Sequence, residues 1–205
     1  MARDYEPLLQ PTKISALRPT QMTVGMREVA RKRESWRERC AKDGPEFLGH
    51  HMIPVVLGPK GHPWLVDHHH LALALHEEGE QHVLISVVAD LSHLKLSEFL
   101  TVLDNRSWIH PFDADGERHG YHKLPKSVTG LDDDPYRSLA GELRRVGAYA
   151  KSDTPFSEFL WADFLRRRIR SKLVQTRFEK AIDRAVKLAR SKDASHLPGW
   201  AGPGG

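Results

Sequence analysis

The chain is poor in cysteine, in long apolar runs and in repeats, and each absence excludes a class of protein. Cys40 is the only cysteine in 205 residues. A disulfide framework needs pairs and a thiolate zinc site needs several, so neither can be built within one chain. A single thiol fits a reducing compartment. No apolar run approaches the ~18–20 residues of a membrane span. The first residues, Met1-Ala-Arg-Asp-Tyr-Glu6, carry no apolar signal core. The expectation is a cytoplasmic protein with no membrane partner. There is no internal repeat and no His-Glu-x-x-His zinc motif.

What remains is an ordinary globular composition, 40% hydrophobic and 28% charged. The net charge of +4 hides an asymmetry. Between Ala162 and Lys192 stand 11 Lys/Arg and 3 Asp/Glu, a local balance of +8, so the rest of the chain sums to −4. Such a segment is either the solvated face of a helix or a surface for nucleic acid and other anions.

Periodicity and breakers predict an α+β part to about residue 130, then a helical part. Residues 1–14 read as a flexible arm. Val24 to Cys40 reads as a helix, and Met52 to Leu57 as a strand whose Pro54 favours an edge or a bulge. Gly58-Pro-Lys-Gly61 turns that strand into a second one, Trp64 to Val66. His69 to Glu78 reads as a helix capped by Gly79, and His82 to Ala89 as a buried strand. A short helix is expected over Ser97–Asn105, with Ser97 as its N-cap. Asp134-Pro135 starts a helix that runs to Val146, and Thr154-Pro155 starts another that runs to Ile169. One amphipathic helix is expected over Ser171–Arg190, within a helical extension at 131–192. The tail, 193–205, reads as disordered.

The chemistry concentrates in Trp64-Leu-Val-Asp67-His68-His69-His70-Leu71. Seven of the thirteen histidines fall between His50 and His76. A strand ends in an acid and three imidazoles, and a helix follows. Three readings stand open. Asp67 with His50 or His51 and one of the triplet would make a three-ligand metal set, although adjacent histidines diverge and cannot all serve one ion. The free N–H groups at the helix start would hold a phosphate. Or Asp67 is an N-cap and the histidines are exposed polar residues.

Leu65-Val-Asp67-His68-His69-His70-Leu-Ala-Leu-Ala resembles the strand–Asp-Gly-His-Arg–helix signature of the ParB/sulfiredoxin superfamily. Leu17-Arg-Pro19-Thr20-Gln21-Met-Thr-Val-Gly25 resembles its earlier Pro-containing segment. Gly-His-His and Thr154-Pro-Phe-Ser-Glu-Phe-Leu-Trp-Ala162 extend the likeness to the ParB-like nuclease subfamily, from Leu17 to about Phe164. The resemblance implies a small mixed-sheet α+β domain, here 15–130. It also implies nucleotide or phosphoryl chemistry at the turn before the signature helix. Two departures matter. No cysteine stands beside the signature, which argues against sulfinic-acid reduction. Histidines replace the glycine and the arginine of the signature, at His68 and His70.

On this resemblance the expected phosphate or nucleotide contacts are Thr20, Gln21, His68, His70 and Lys123. Asp67, with Glu28 nearby, would hold Mg²⁺ or another divalent metal, or act as base. His69 or His51 would be general acid or base. The substrate would be a nucleic acid, as for a nuclease, or a nucleotide and a small hydroxyl compound, as for the kinase relatives. The alternative is a non-catalytic partition-like module that binds DNA or protein through its basic helix. A homo-oligomer formed through the C-terminal helices is also expected.

Overall fold

The computed structural model describes residues 10–43 and 52–203. The element order is β1 (Gln10–Lys13), β2 (Thr23–Val24), α1 (Met26–Asp43), β3 (Ile53–Leu57), β4 (Pro63–Leu65), α2 (His69–Glu77) and β5 (His82–Asp90). Then come α3 (Leu96–Asn105), β6 (Asp132–Asp133), α4 (Pro135–Arg145), α5 (Ser157–Arg166), α6 (Ser171–Thr176) and α7 (Phe178–Ala189). The fold is α+β, as expected.

The main sheet has the order β1-β5-β3-β4. β3 runs parallel to β5, while β1 and β4 run antiparallel to their neighbours. The β3–β4 hairpin forms as its turn residues predict. β3 is an inner strand, so Pro54 is not on an edge. It lies one residue before the register shift between Val55 and Val56, which is where a missing ladder donor is tolerated. A small parallel pair, β2 with β6, ties the Pro-Thr-Gln segment to the start of α4.

Three apolar clusters hold the described residues. Ile53, Val55, Leu65, Val83 and Ile85 of the sheet pack with Val29 and Trp36 of α1 and Leu71–Leu75 of α2. Trp64 and Val56 pack with Phe99 and Leu103 of α3. The third cluster is all helical, with Leu139, Leu143, Trp161, Leu165, Val174, Ala181 and Ala185. α1 lies against both α2 and α4 and so links the sheet to the helical part.

Four local expectations are corrected. The stretch from Ser171 is two helices, because Arg177 leaves helical geometry (φ −143°, ψ 59°). Phe178 then opens α7 with its ring 3.8 Å from the Arg27 guanidinium of α1. Apolar spacing cannot register a one-residue break of this kind. α3 starts at Leu96 after Lys95, whose N–H is accepted by Glu98 at 3.0 Å, so Ser97 is not its cap. Of the expected arm, residues 1–9 lie outside the described residues, but Gln10–Lys13 is strand β1 and Ile14 is buried. The tail is packed through Trp200: Leu197 is buried, Trp200 packs on the helical cluster, and the Trp161 indole N–H donates to the Pro198 carbonyl at 2.9 Å. Gly199 (φ 73°) sits so close that a Cβ would fall 2.0 Å from the Ala150 carbonyl oxygen. Only glycine allows that approach.

Candidate functional site

The Asp67–His70 turn opens on a cleft of about 530 Å³ between the sheet part and α4–α5. Its lining includes Gln21, Glu28, Lys32, Asp67 to His70, Ser107, Arg137, Arg144, Lys151 and Thr154 to Phe159. The N-termini of α2 and α5 both reach it, and their first-turn N–H groups and dipoles favour an anion.

The turn is built by backbone strain and two buried acceptors. His68 precedes α2 in the left-handed region (φ 65°, ψ 24°). Asp67 Oδ1 accepts the His68 N–H at 2.6 Å, and Asp67 Oδ2 stands 3.5 Å from His68 Nδ1. These His68 contacts hold the Asp67 carboxyl well below its usual range. Asp67 and His68 are the turn's exposed side chains, and Asp67 is 77% exposed.

His69 and His70 point the other way. The Thr20 N–H donates to His69 Nε2 at 3.1 Å, while the Thr20 hydroxyl donates to the Leu65 carbonyl at 2.6 Å. The Gly25 N–H donates to His70 Nε2 at 2.9 Å. Burial pushes both imidazoles down to about 3, and an accepting Nε2 is an unprotonated one. The two rings therefore staple the signature turn to the Pro-Thr-Gln segment.

Below them lies an ionic floor. Glu28 Oε2 stands 3.6 Å from His70 Nε2 and 3.2 Å from Arg137 Nη1. Burial raises the Glu28 carboxyl, but the cations Arg137, Lys32 and Arg144 outweigh it and hold it below its usual range. Arg137 also bonds Glu158 at 3.0 Å, and Glu158 pairs with Arg144. Gly141 allows this packing: a Cβ there would meet Arg137 and Glu28 at 3.3 Å.

The expected site residues divide accordingly. Gln21, Glu28, Asp67, His68, His69 and His70 line the cleft. Thr20 is buried directly behind it. Lys123 is exposed on the Tyr121–Lys123 turn, outside that lining. His51 lies outside the described residues. No group of three His, Cys, Asp or Glu able to hold a metal ion occurs among the described residues. The expected set of Asp67 with His50 or His51 and one of the triplet rests on residues outside the described ones.

Sequence reasoning missed Arg137, Arg144, Ser107, Phe156 and Glu158. One available signal was Arg137 four residues before Gly141 in an otherwise apolar helix face. Backbone strain marks the cleft further. Non-glycine residues with positive φ among the described residues are Lys60, His68, Ser107 and Phe156. Three of these four line this one cleft, and strain of this kind concentrates at functional sites.

Residues 10–167 match the model of the family described as "Putative ParB-like nuclease". The chain belongs to the ParB-like nuclease family. The crystal structure of protein Atu1540 from Agrobacterium tumefaciens is 53% identical over 96% of this chain and 99% of that one, with a TM-score of 0.89. No curated protein matches the chain. On the resemblance to the ParB/sulfiredoxin signature, His68 would stand where that signature has glycine, and its φ of 65° is the conformation for which glycine is the natural choice. His70 would stand at the arginine position, and here it is buried and accepts a backbone N–H. A guanidinium still lines this ParB-like cleft, contributed by Arg137 of α4.

Proposed function

We propose that this ParB-like protein binds phosphate groups in the Asp67–His70 cleft and carries out phosphoryl or phosphodiester chemistry there. The observation that carries the reading is the meeting of two helix N-termini, a strained turn and the cations Lys32, Arg144 and Lys151 on one cleft. Phosphoryl transfer needs positioning and charge neutralisation more than an intrinsic nucleophile. The α2 N–H groups and His68 would hold phosphate. Asp67, exposed and ionised, would orient a hydroxyl or water, or anchor Mg²⁺ brought in with the phosphates. Mg²⁺ would supply further charge neutralisation. His69 and His70 would act by holding the turn in place. Nuclease and small-molecule kinase are both reactions of this type.

The test is a thermal-shift panel of ATP, ADP, CTP and GTP with and without Mg²⁺. A ligand at 100 times its dissociation constant adds about 2.7 kcal/mol of stability. Asp67→Ala is expected to keep the shift and lose turnover. If neither nucleotides nor inorganic tripolyphosphate shift the wild type, the phosphate reading fails.

A second reading rests on α7. At 100° per residue, Lys180, Arg184 and Lys187 fall within about 60° of arc. All three are exposed. Ala181, Ala185 and Ala189 of the same helix are buried, which leaves it no apolar face for a bilayer. This stripe suits a nucleic-acid backbone, bound without base readout. It would serve a nuclease substrate or a partition-like DNA-binding module.

A further inference from the structure

Resting on the phosphate reading of the cleft, we infer that residues 151–155 form a strap that closes over the bound anion by means of Lys151. The charges of the cleft wall set the first condition. Three of its four Lys and Arg side chains are already paired with carboxylates of the same wall. Arg137 holds Glu28 at 3.2 Å and Glu158 at 3.0 Å, Arg144 holds Glu158, and Lys32 stands 4.0 Å from Glu28. The fourth, Lys151, is exposed, lines the cleft and forms no ion pair among the described residues. An entering anion meets Lys151 without having to displace a carboxylate.

The segment that carries Lys151 is anchored at its ends and loose between them. On one side Tyr149 is buried, stacks on Trp161 at 4.3 Å and pairs with Trp200 across a β-bridge. The Ala150 N–H donates to the Gly199 carbonyl at 2.8 Å. On the other side the Phe156 ring packs 4.8 Å from His110, and α5 follows, held by the Glu158–Arg137 pair. Residues 151–155 have no regular structure, and Lys151, Asp153, Thr154 and Pro155 are exposed. Their hydrogen bonds are local. The Ser152 hydroxyl donates to Thr154 Oγ1 at 3.0 Å and accepts the Thr154 N–H at 3.1 Å, and the Thr154 carbonyl accepts the Ser157 N–H at 3.2 Å. Beyond that first residue of α5, the strap makes no hydrogen bond among the described residues that a swing would break. Phe156, at the junction, is left-handed (φ 55°, ψ 26°), a strained conformation for a bulky side chain. A residue of this kind, at the end of an element, is placed to absorb the φ/ψ change of a hinge. Closure brings the Lys151 ammonium onto the anion and expels water from the cleft, which strengthens every charge interaction inside it.

Amide hydrogen exchange on the full chain tests this, with inorganic tripolyphosphate as the probe and calorimetry to set its saturating concentration. With tripolyphosphate bound, the Lys151, Ser152 and Asp153 amides are expected to exchange about tenfold more slowly than in the ligand-free protein. Lys151→Gln is expected to bind tripolyphosphate about tenfold more weakly, through loss of one charge-assisted contact. The saturated variant separates closure from simple covering. A strap drawn shut by Lys151 exchanges in saturated Lys151→Gln as fast as in the ligand-free chain, whereas a strap merely covered by the ligand is protected in both proteins. Protection of residues 151–153 in the saturated variant therefore overturns closure by Lys151. Wild-type exchange that bound tripolyphosphate does not slow overturns it too, as does equal affinity of the two proteins. In each of these cases the calorimetric binding leaves the phosphate site standing. If tripolyphosphate does not bind the wild type, the phosphate site itself fails and the strap with it.

Discussion

His70 Nε2 accepts the backbone N–H of Gly25 at 2.9 Å, joining residues 45 apart in the chain. The bond stitches the start of α1 to the first turn of α2. Gly25 is itself confined, because a Cβ there would lie 2.7 Å from the Ser138 backbone nitrogen of α4. Three elements therefore meet at a point where one imbalance is felt by all. His70→Ala leaves a buried N–H without a partner, a loss of about 1–3 kcal/mol. Urea unfolding of the variant measures it, and a change within error of zero would show that the bond does not matter.

Acid is expected to weaken the fold earlier than carboxylate titration alone would. His69 and His70 sit at about 3 in the folded chain, below the ordinary histidine value of about 6.5. His110, among Phe112, Phe156 and Phe159, is lowered to about 4 by burial, Arg137 and Arg166. The unfolded chain therefore takes up protons that the folded chain refuses. Their contribution is complete above about pH 6.5 and falls as pH drops toward 3–4. Between pH 6.5 and 5 the carboxylates are still ionised and the slope belongs to the histidines. His69→Gln with His70→Gln should flatten the melting temperature across that interval.

His68→Gly removes a side chain from a left-handed residue. The backbone relief of about 1–2 kcal/mol exceeds the entropy cost of glycine, about 0.5–1 kcal/mol. A net gain of about 0.5–1 kcal/mol in unfolding free energy is expected. Phosphate affinity should fall in the same variant if His68 donates to the ligand. Stability and affinity moving in opposite directions is the expected pattern, read by urea unfolding and calorimetry.

Arg137→Met breaks a buried ion pair with Glu28 and Glu158. Removing one partner of such a pair typically costs about 3–5 kcal/mol, because the other charge stays buried. Glu158 keeps Arg144, so Glu28 bears most of the loss. Adding Glu28→Gln to Arg137→Met should recover part of it. Failure to recover would place the cost in packing rather than in charge.

Charge reversal at Lys180 and Arg184 tests the α7 stripe. Duplex DNA retention should fall in the variant. The wild type should show a steep loss of affinity with salt, with a log–log slope of about −0.9 per phosphate contacted. A flat salt dependence would leave the stripe as a solvated face.

Much of this was legible locally. Asp134-Pro135 names a helix start, and the structure shows Asp134 Oδ1 accepting the Tyr136 N–H at 2.8 Å. Gly58-Pro-Lys-Gly61 names the β3–β4 turn. Gly79 names the end of α2, and it is left-handed there (φ 86°). Each feature is encoded in residues that touch their own neighbours. The break at Arg177 and the packed tail were not legible, because each depends on a distant partner. Phe178 needs Arg27, and Trp200 pairs with Tyr149 across a β-bridge.

The same division holds at the site. Sequence by itself determined that an acid and three imidazoles end a strand and open a helix, in the place where the ParB/sulfiredoxin signature has its turn. It did so because periodicity, breakers and motif are local properties of the chain. Only the tertiary structure decided which imidazoles are exposed and which are buried. His69 and His70 turn inward because Thr20 and Gly25 offer buried N–H groups that need acceptors. Only the tertiary structure brought Arg137, Glu158 and Phe156 to the opposite wall, because they lie 70 to 90 residues downstream on helices whose packing no local pattern records.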